Sequence, residues 1–121
     1  MSKRSWLSFL TDIHVCSIKI LDYTKEMTRE DFFADSKTFD AVVRNLQIIG
    51  EAAKKIPPDI RRQYKTVEWK KLAGLRDIVI HDYFGINEDI IWDVITSRIP
   101  LLAQEIGYIL AETLAEESII N

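Results

Sequence analysis

Apolar residues recur along this chain at steps of three and four. Trp6, Phe9, Leu10, Ile13, Cys16, Ile20 and Tyr23 form one such stripe, which predicts a first helix from about Ser5 to Lys25. Thr28, with Asp31 three positions later, reads as a capping box for one short turn. Asp35 or Ser36 then caps a second long helix, with its stripe at Phe39, Val42, Val43, Leu46, Ile49, Gly50, Ala53 and Ile56. Arg44, Gln47, Glu51, Lys54 and Lys55 lie on its opposite face. Gly50 weakens a helix by about 1 kcal/mol relative to alanine, a cost that close helix packing can offset. Pro58 opens a short helix, and Thr66 is expected to cap the next one, from Val67 to about His81. "YFGIN" breaks that helix and Asn87 caps its successor, in which Ile91, Trp92, Ile95 and Ile99 continue the pattern. Pro100 kinks or restarts the chain before a last helix through Leu102, Ile106, Ile109, Leu110 and Leu114. No strand-like alternation or internal repeat interrupts the pattern. The prediction is an all-α bundle of four long helices plus short ones, in a single domain spanning residues 1–121.

The stretch "RDIVIHDY", Arg76 to Tyr83, departs from the bundle pattern. At roughly 100° per residue, Arg76 falls in the middle of an apolar stripe with Trp69, Leu72, Val79 and Ile80. A guanidinium there either has a carboxylate partner or faces a cleft, because a buried unpaired charge is very costly. His81 lies off that stripe, with Asp77 four residues earlier and positioned to hold its imidazole in one tautomer. Arg76 and His81 converge only if the helix ends or distorts near His81, or if a second subunit supplies part of the site. His14, with apolar neighbours, reads as structural, and Cys16 as core. Two distant histidines and one cysteine make no metal set, and no glycine-rich phosphate loop is present.

Charge changes the picture in one region. The net charge of −3 disfavours a generic polyanion binder. Residues 54–76, however, hold eight basic residues against Asp59 and Glu68, while residues 77–121 hold nine acids against Arg98 alone. A local phosphate-binding surface on an acidic protein fits this distribution, as does a solvated helical face. The lone cysteine excludes an internal disulfide, and no apolar run reaches the roughly 20 residues of a membrane span. A cytoplasmic protein with no membrane association is expected.

The chain resembles a known family in several places. "RDIVIHDY" matches the R-x4-H-x-Y signature of the HEPN superfamily, in its HepT-like toxin branch. "RNLQIIGEAAKKIP" at Arg44–Pro57 is similar to that branch's second-helix segment. "VEWKKLAGLRDIVIHDYFGIN" at Val67–Asn87 is similar to its signature helix and turn, and "IIWDVITSRIPLL" to the segment that follows. The resemblance implies an antiparallel HEPN helical bundle that forms a homodimer, with paired motifs facing a cleft. It implies a metal-independent endoribonuclease without cofactor, the toxin of a type VII-like toxin–antitoxin pair. Its partner would be a minimal nucleotidyltransferase antitoxin that adds AMP to the motif tyrosine.

Carried onto this sequence, the resemblance makes Arg76 and His81 catalytic, Asp77 an orienting residue and Tyr83 the site of AMPylation. Where the superfamily often has asparagine after the arginine, this chain has Asp77. Arg44, Lys70 and Lys71 are candidates for RNA contact. The chemistry suits these residue types, since in RNA the 2′-OH attacks its own adjacent phosphate. His81 would serve as general base or acid, and Arg76 would clamp the phosphate. A non-catalytic module that binds a nucleotide or the nucleotidyltransferase, and a plain helical dimerisation domain, are the alternatives from other functional classes.

Overall fold

The computed structural model describes the backbone of residues 3–83 and 87–120, and the side chains of residues 5–79 and 87–116. Helix α1 spans Lys3–Thr24, α2 Arg29–Ala34, α3 Ser36–Lys54 and α4 Pro58–Gln63. They are followed by α5 Trp69–Ala73, α6 Leu75–Tyr83, α7 Glu88–Asp93, a π-helical turn at Val94–Arg98, and α8 Ile99–Ile120. Every regular element among the described residues is helical, the all-α class that the periodicity predicts.

The predicted caps account for several boundaries. Thr28 and Asp31 form the reciprocal capping box of α2, with both hydrogen bonds at 3.1 Å. Asp35 caps α3, accepting from the Thr38 N–H at 3.1 Å and from the Thr38 hydroxyl at 2.9 Å. Those two bonds hold the Asp35 carboxyl below its ordinary range. Pro58 opens α4, and the Asn87 side chain accepts from the Ile90 N–H at 3.3 Å to start α7.

The core follows the stripes. Helix α1 packs against both α3 and α8, and α3 carries α5 and α6 on its other side. Leu10, Ile13 and Ile20 of α1 meet Val42, Leu46 and Ile49 of α3 and Ile99 and Ile106 of α8, all fully or almost fully buried. Each contributes about 1.5–3 kcal/mol by leaving water. Buried hydroxyls and amides are satisfied within their own helices: Ser17 Oγ donates to the Ile13 carbonyl at 2.7 Å, and Asn45 Nδ2 to Ala41 at 2.8 Å. Phe32 of α2 stacks near Trp92 of α7, with centroids 5.8 Å apart, and Arg29 pairs with Asp89. These contacts anchor the start of α7 after the signature helix.

One expectation is corrected. The helix predicted from Val67 to His81 is two helices, and Thr66 does not cap it. The Glu68 position precedes α5 without a side-chain cap bond, and the turn before it is held by the Val67 N–H on Tyr64 and the Trp69 N–H on Val67. Thr66 instead stands near Glu105 of α8, whose carboxyl is raised above its ordinary range by burial. At Gly74 the chain closes α5, with its N–H on the Lys70 and Lys71 carbonyls, and α6 begins at Leu75. At Pro100 the chain restarts, as expected, and it does so through the π-helical turn. The proline ring has no N–H and crowds the carbonyl four residues back, so the chain widens by one residue. The Ile99 N–H then bonds to Val94, and the Thr96 hydroxyl donates to Trp92 at 2.8 Å.

Gly50 shows why α3 approaches the α5–α6 junction so closely. A Cβ there would stand 3.2 Å from the Leu72 carbonyl oxygen and 3.5 Å from the Arg76 nitrogen. Both neighbours are backbone, so relief requires a helix to move. Gly50→Ala should therefore lower the urea midpoint, although alanine alone would favour the helix by about 1 kcal/mol. A raised midpoint would show that the junction yields.

Candidate active site

Helix α6 presents the signature. Its inner face is fixed by Leu75 and Val79, which are 3% and 1% exposed, with Ile78 half-buried beside them. Leu72, Leu75 and Val79 hold the buried face across the break at Gly74, and Arg76 beside them lies at the surface. Its guanidinium, with the side chain 53% exposed, faces Glu51 of α3, Nη1 to Oε1 at 3.7 Å. Of the two possibilities that the sequence leaves open for Arg76, a carboxylate partner is therefore present, but at the surface rather than in the core. Glu51 also lies 3.6 Å from the Lys54 ammonium. Exposed pairs of this kind contribute about 0–1 kcal/mol and are weakened by salt. The Arg76 guanidinium is thus held weakly and stays open to solvent.

Asp77 is exposed one position further along α6. The backbone of α6 stays helical through His81 to Tyr83. The side chains of His81 and Tyr83 lie outside the described residues, and so does the Asp77–His81 contact.

Arg44 is exposed on α3 and lines a cavity of about 270 Å³ with Phe9, Asp12, Gln47, Glu51 and Lys55. Glu51 thus belongs both to this cavity and to the Arg76 pair. Lys70 and Lys71 line a different cavity on the outer side of α5, and Lys71 is tied to Glu68 at 2.6 Å. An apolar groove of about 910 Å³ runs past Leu72, Leu75 and Ile78 towards Ile90, Val94 and Leu101. Ile90 and Leu101 are 43% and 55% exposed.

Sequence reasoning placed Glu51 on the polar face of α3 without giving it a role. The signal was its place beside Gly50, seven residues after Arg44, which puts Arg44 and Glu51 on one face two turns apart. The other reactive side chains keep structural places. His14 packs where a Cβ on Gly107 would come within 3.2 Å of its Nε2. Burial pushes the Cys16 thiol up, as suits a core residue. Among the described residues no group of three or more His, Cys, Asp and Glu side chains is placed to hold a metal ion, and no helix is long and apolar enough to cross a membrane.

The family described as ribonuclease HepT-like matches residues 13–109, from the middle of α1 to the middle of α8. The chain belongs to this family. It is 43% identical over 117 residues to a protein of Methanocaldococcus jannaschii named "Putative RNase", with 97% of each chain covered. It is 42% identical over 100 residues to "Probable ribonuclease HepT" of Thermococcus cleftensis, covering 83% of this chain and 91% of that one. No solved structure matches significantly. The expected HepT-like membership is thereby established, and the matched span includes α3, α5, α6 and the π-helical turn.

In this HepT-like chain, Arg76→Ala and Glu51→Gln should each shift folding stability by less than about 1 kcal/mol, because the pair is half-exposed. Urea unfolding of the two variants beside wild type checks this. A larger loss for Arg76→Ala would mean that the guanidinium holds α6 onto α3.

Proposed function

We propose that this protein is a metal-independent endoribonuclease toxin, active as a homodimer and silenced by AMPylation of Tyr83. One observation carries the reading: a chain of the ribonuclease HepT-like family bears Arg76, His81 and Tyr83 in R-x4-H-x-Y spacing on one short helix. The RNA 2′-OH attacks the adjacent phosphorus and the bond to the 5′-oxygen breaks. The products are a 2′,3′-cyclic phosphate and a 5′-OH end. His81 removes the 2′-OH proton or protonates the leaving oxygen, and Arg76 stabilises charge on the phosphate. Asp77 orients His81. DNA, without a 2′-OH, is not cleaved.

The helical register supports a composite site. Five residues of α-helix separate Arg76 and His81 by roughly 140° around the axis. Because α6 does not end at His81, one copy of the helix does not turn both positions to the same phosphate. Two copies facing each other across a dimer would, with base and acid from different subunits. The apolar groove beside α6, with Ile90 and Leu101 at the surface, is consistent with such pairing.

Purified wild type should cleave RNA in the presence of EDTA. His81→Ala and Arg76→Ala should each lower the rate at least about 10²-fold, the lower end of what positioned acid–base groups supply, with helical content unchanged. Cleavage that survives His81→Ala, or that requires a divalent metal, would overturn the mechanism.

Tyr83 lies seven residues after Arg76, so its register returns to within roughly 20° of the same face two turns later. The phenol oxygen would attack the α-phosphorus of ATP, forming a phosphodiester and releasing pyrophosphate. The added phosphate then competes for Arg76 and blocks RNA. The partner is a minimal nucleotidyltransferase antitoxin. Intact-mass and peptide spectrometry after co-expression should find AMP on Tyr83 and none on the Tyr83→Phe variant. AMP mapped instead to Tyr23, Tyr64 or Tyr108 would sink this part of the reading.

A further inference from the structure

The basic segment that stands out in the sequence folds into a defined groove. After α4 the chain turns back, held by the Tyr64 N–H on Ile60 at 3.1 Å and the Val67 N–H on Tyr64 at 3.2 Å. Trp69, 7% exposed, forms the floor, and its indole N–H donates to the Tyr64 carbonyl at 3.0 Å. Arg61, Arg62, Lys65, Lys70 and Lys71 surround a cavity of about 480 Å³ above this floor, with Glu68 as its one acid. Glu68 is already compensated. Its hydrogen bond from Lys71 lowers its carboxyl below the ordinary range, and Arg98 stands 3.8 Å away. Arg61 Nε is held by the Ile56 carbonyl at 2.9 Å, which fixes that side chain at the groove wall. Arg62, Lys65 and Lys70 are exposed and have no carboxylate partner among the described residues.

We propose that this groove between α4 and α5 binds the phosphate backbone of an RNA strand, away from Arg76 and without reading its bases. The choice of RNA rests on the ribonuclease reading above; the chemistry of a spaced polyanion rests on the groove itself. An acidic partner protein fits less well. The centre of a protein interface needs an apolar or aromatic anchor, and the aromatic ring here is buried with its N–H occupied. The same burial leaves no exposed ring on which bases could stack, so affinity comes from charge alone. The acidic residues 77–121 repel a polyanion elsewhere on the chain, which focuses it on this groove.

The test measures binding separately from cleavage. A labelled 2′-O-methyl oligoribonucleotide, which has no free 2′-OH to attack, is titrated by fluorescence anisotropy at several salt concentrations. The probe should bind wild type with a steep salt dependence. The triple variant Arg62→Gln, Lys65→Gln, Lys70→Gln should reduce the slope of log Kd against log salt by about 2, at roughly 0.7 for each phosphate that is no longer neutralised. On cleavable RNA it should raise KM and leave kcat unchanged. The charge-conserving triple Arg62→Lys, Lys65→Arg, Lys70→Arg should retain the wild-type slope, which separates charge from folding. An unchanged slope in the glutamine variant overturns the proposal, even where His81-dependent cleavage is present. So does intact RNA binding by that variant alongside abolished binding to polyglutamate, which would assign the groove to an acidic protein. If wild type cleaves no RNA yet the slope falls as expected, the groove stands and the ribonuclease reading fails alone.

Discussion

The approach of α3 to the α5–α6 junction at Gly50 is the constraint on which the candidate site depends. A single missing Cβ lets the Leu72 carbonyl and the Arg76 backbone nitrogen lie against helix α3. The glycine's helical cost, about 1 kcal/mol, is offset by packing two helix ends onto a third helix. Its neighbour Glu51 then reaches the Arg76 guanidinium. One dipeptide of α3 thus sets both the backbone position of the signature arginine and the carboxylate that its side chain meets.

The weakness of that second contact suits the phosphate-clamping role proposed for Arg76. A buried arginine–carboxylate pair would resist exchange, because either charge left alone would be heavily penalised. At 3.7 Å and half-exposed, the Glu51–Arg76 pair is weak and open to exchange. Leu72, Leu75 and Val79 form the buried face, and Arg76 stands at its margin, where the guanidinium reaches solvent.

The charges of this small protein are distributed so that different surfaces can take different roles. Arg44, Glu51 and Arg76 gather around α3, while Arg61, Arg62, Lys65, Lys70 and Lys71 gather around the α4–α5 turn. Both groups come from the single basic stretch and its immediate surroundings, within a chain of net charge −3. Helix ends and short turns separate them in space. The family matched over residues 13–109 includes both surfaces.

Much of this was legible in the residues themselves. The three-and-four spacing determined α1, α3 and α8, because a stripe of apolar side chains has to leave water whatever it packs against. The caps at Thr28, Asp35 and Asn87 were readable because each satisfies N–H groups only two or three residues away. The signature arginine, histidine and tyrosine were readable as a spacing that resembles a family. Tertiary structure alone decided the rest. The close approach of Gly50 to the α5–α6 junction and the pairing of Arg76 with Glu51 answer to partners distant in sequence. Local propensities differ by a few tenths of a kcal/mol, whereas a backbone clash or an unpaired buried charge costs several. Where the two conflict, the neighbours in space determine the outcome, and a periodic pattern along the chain carries no information about them.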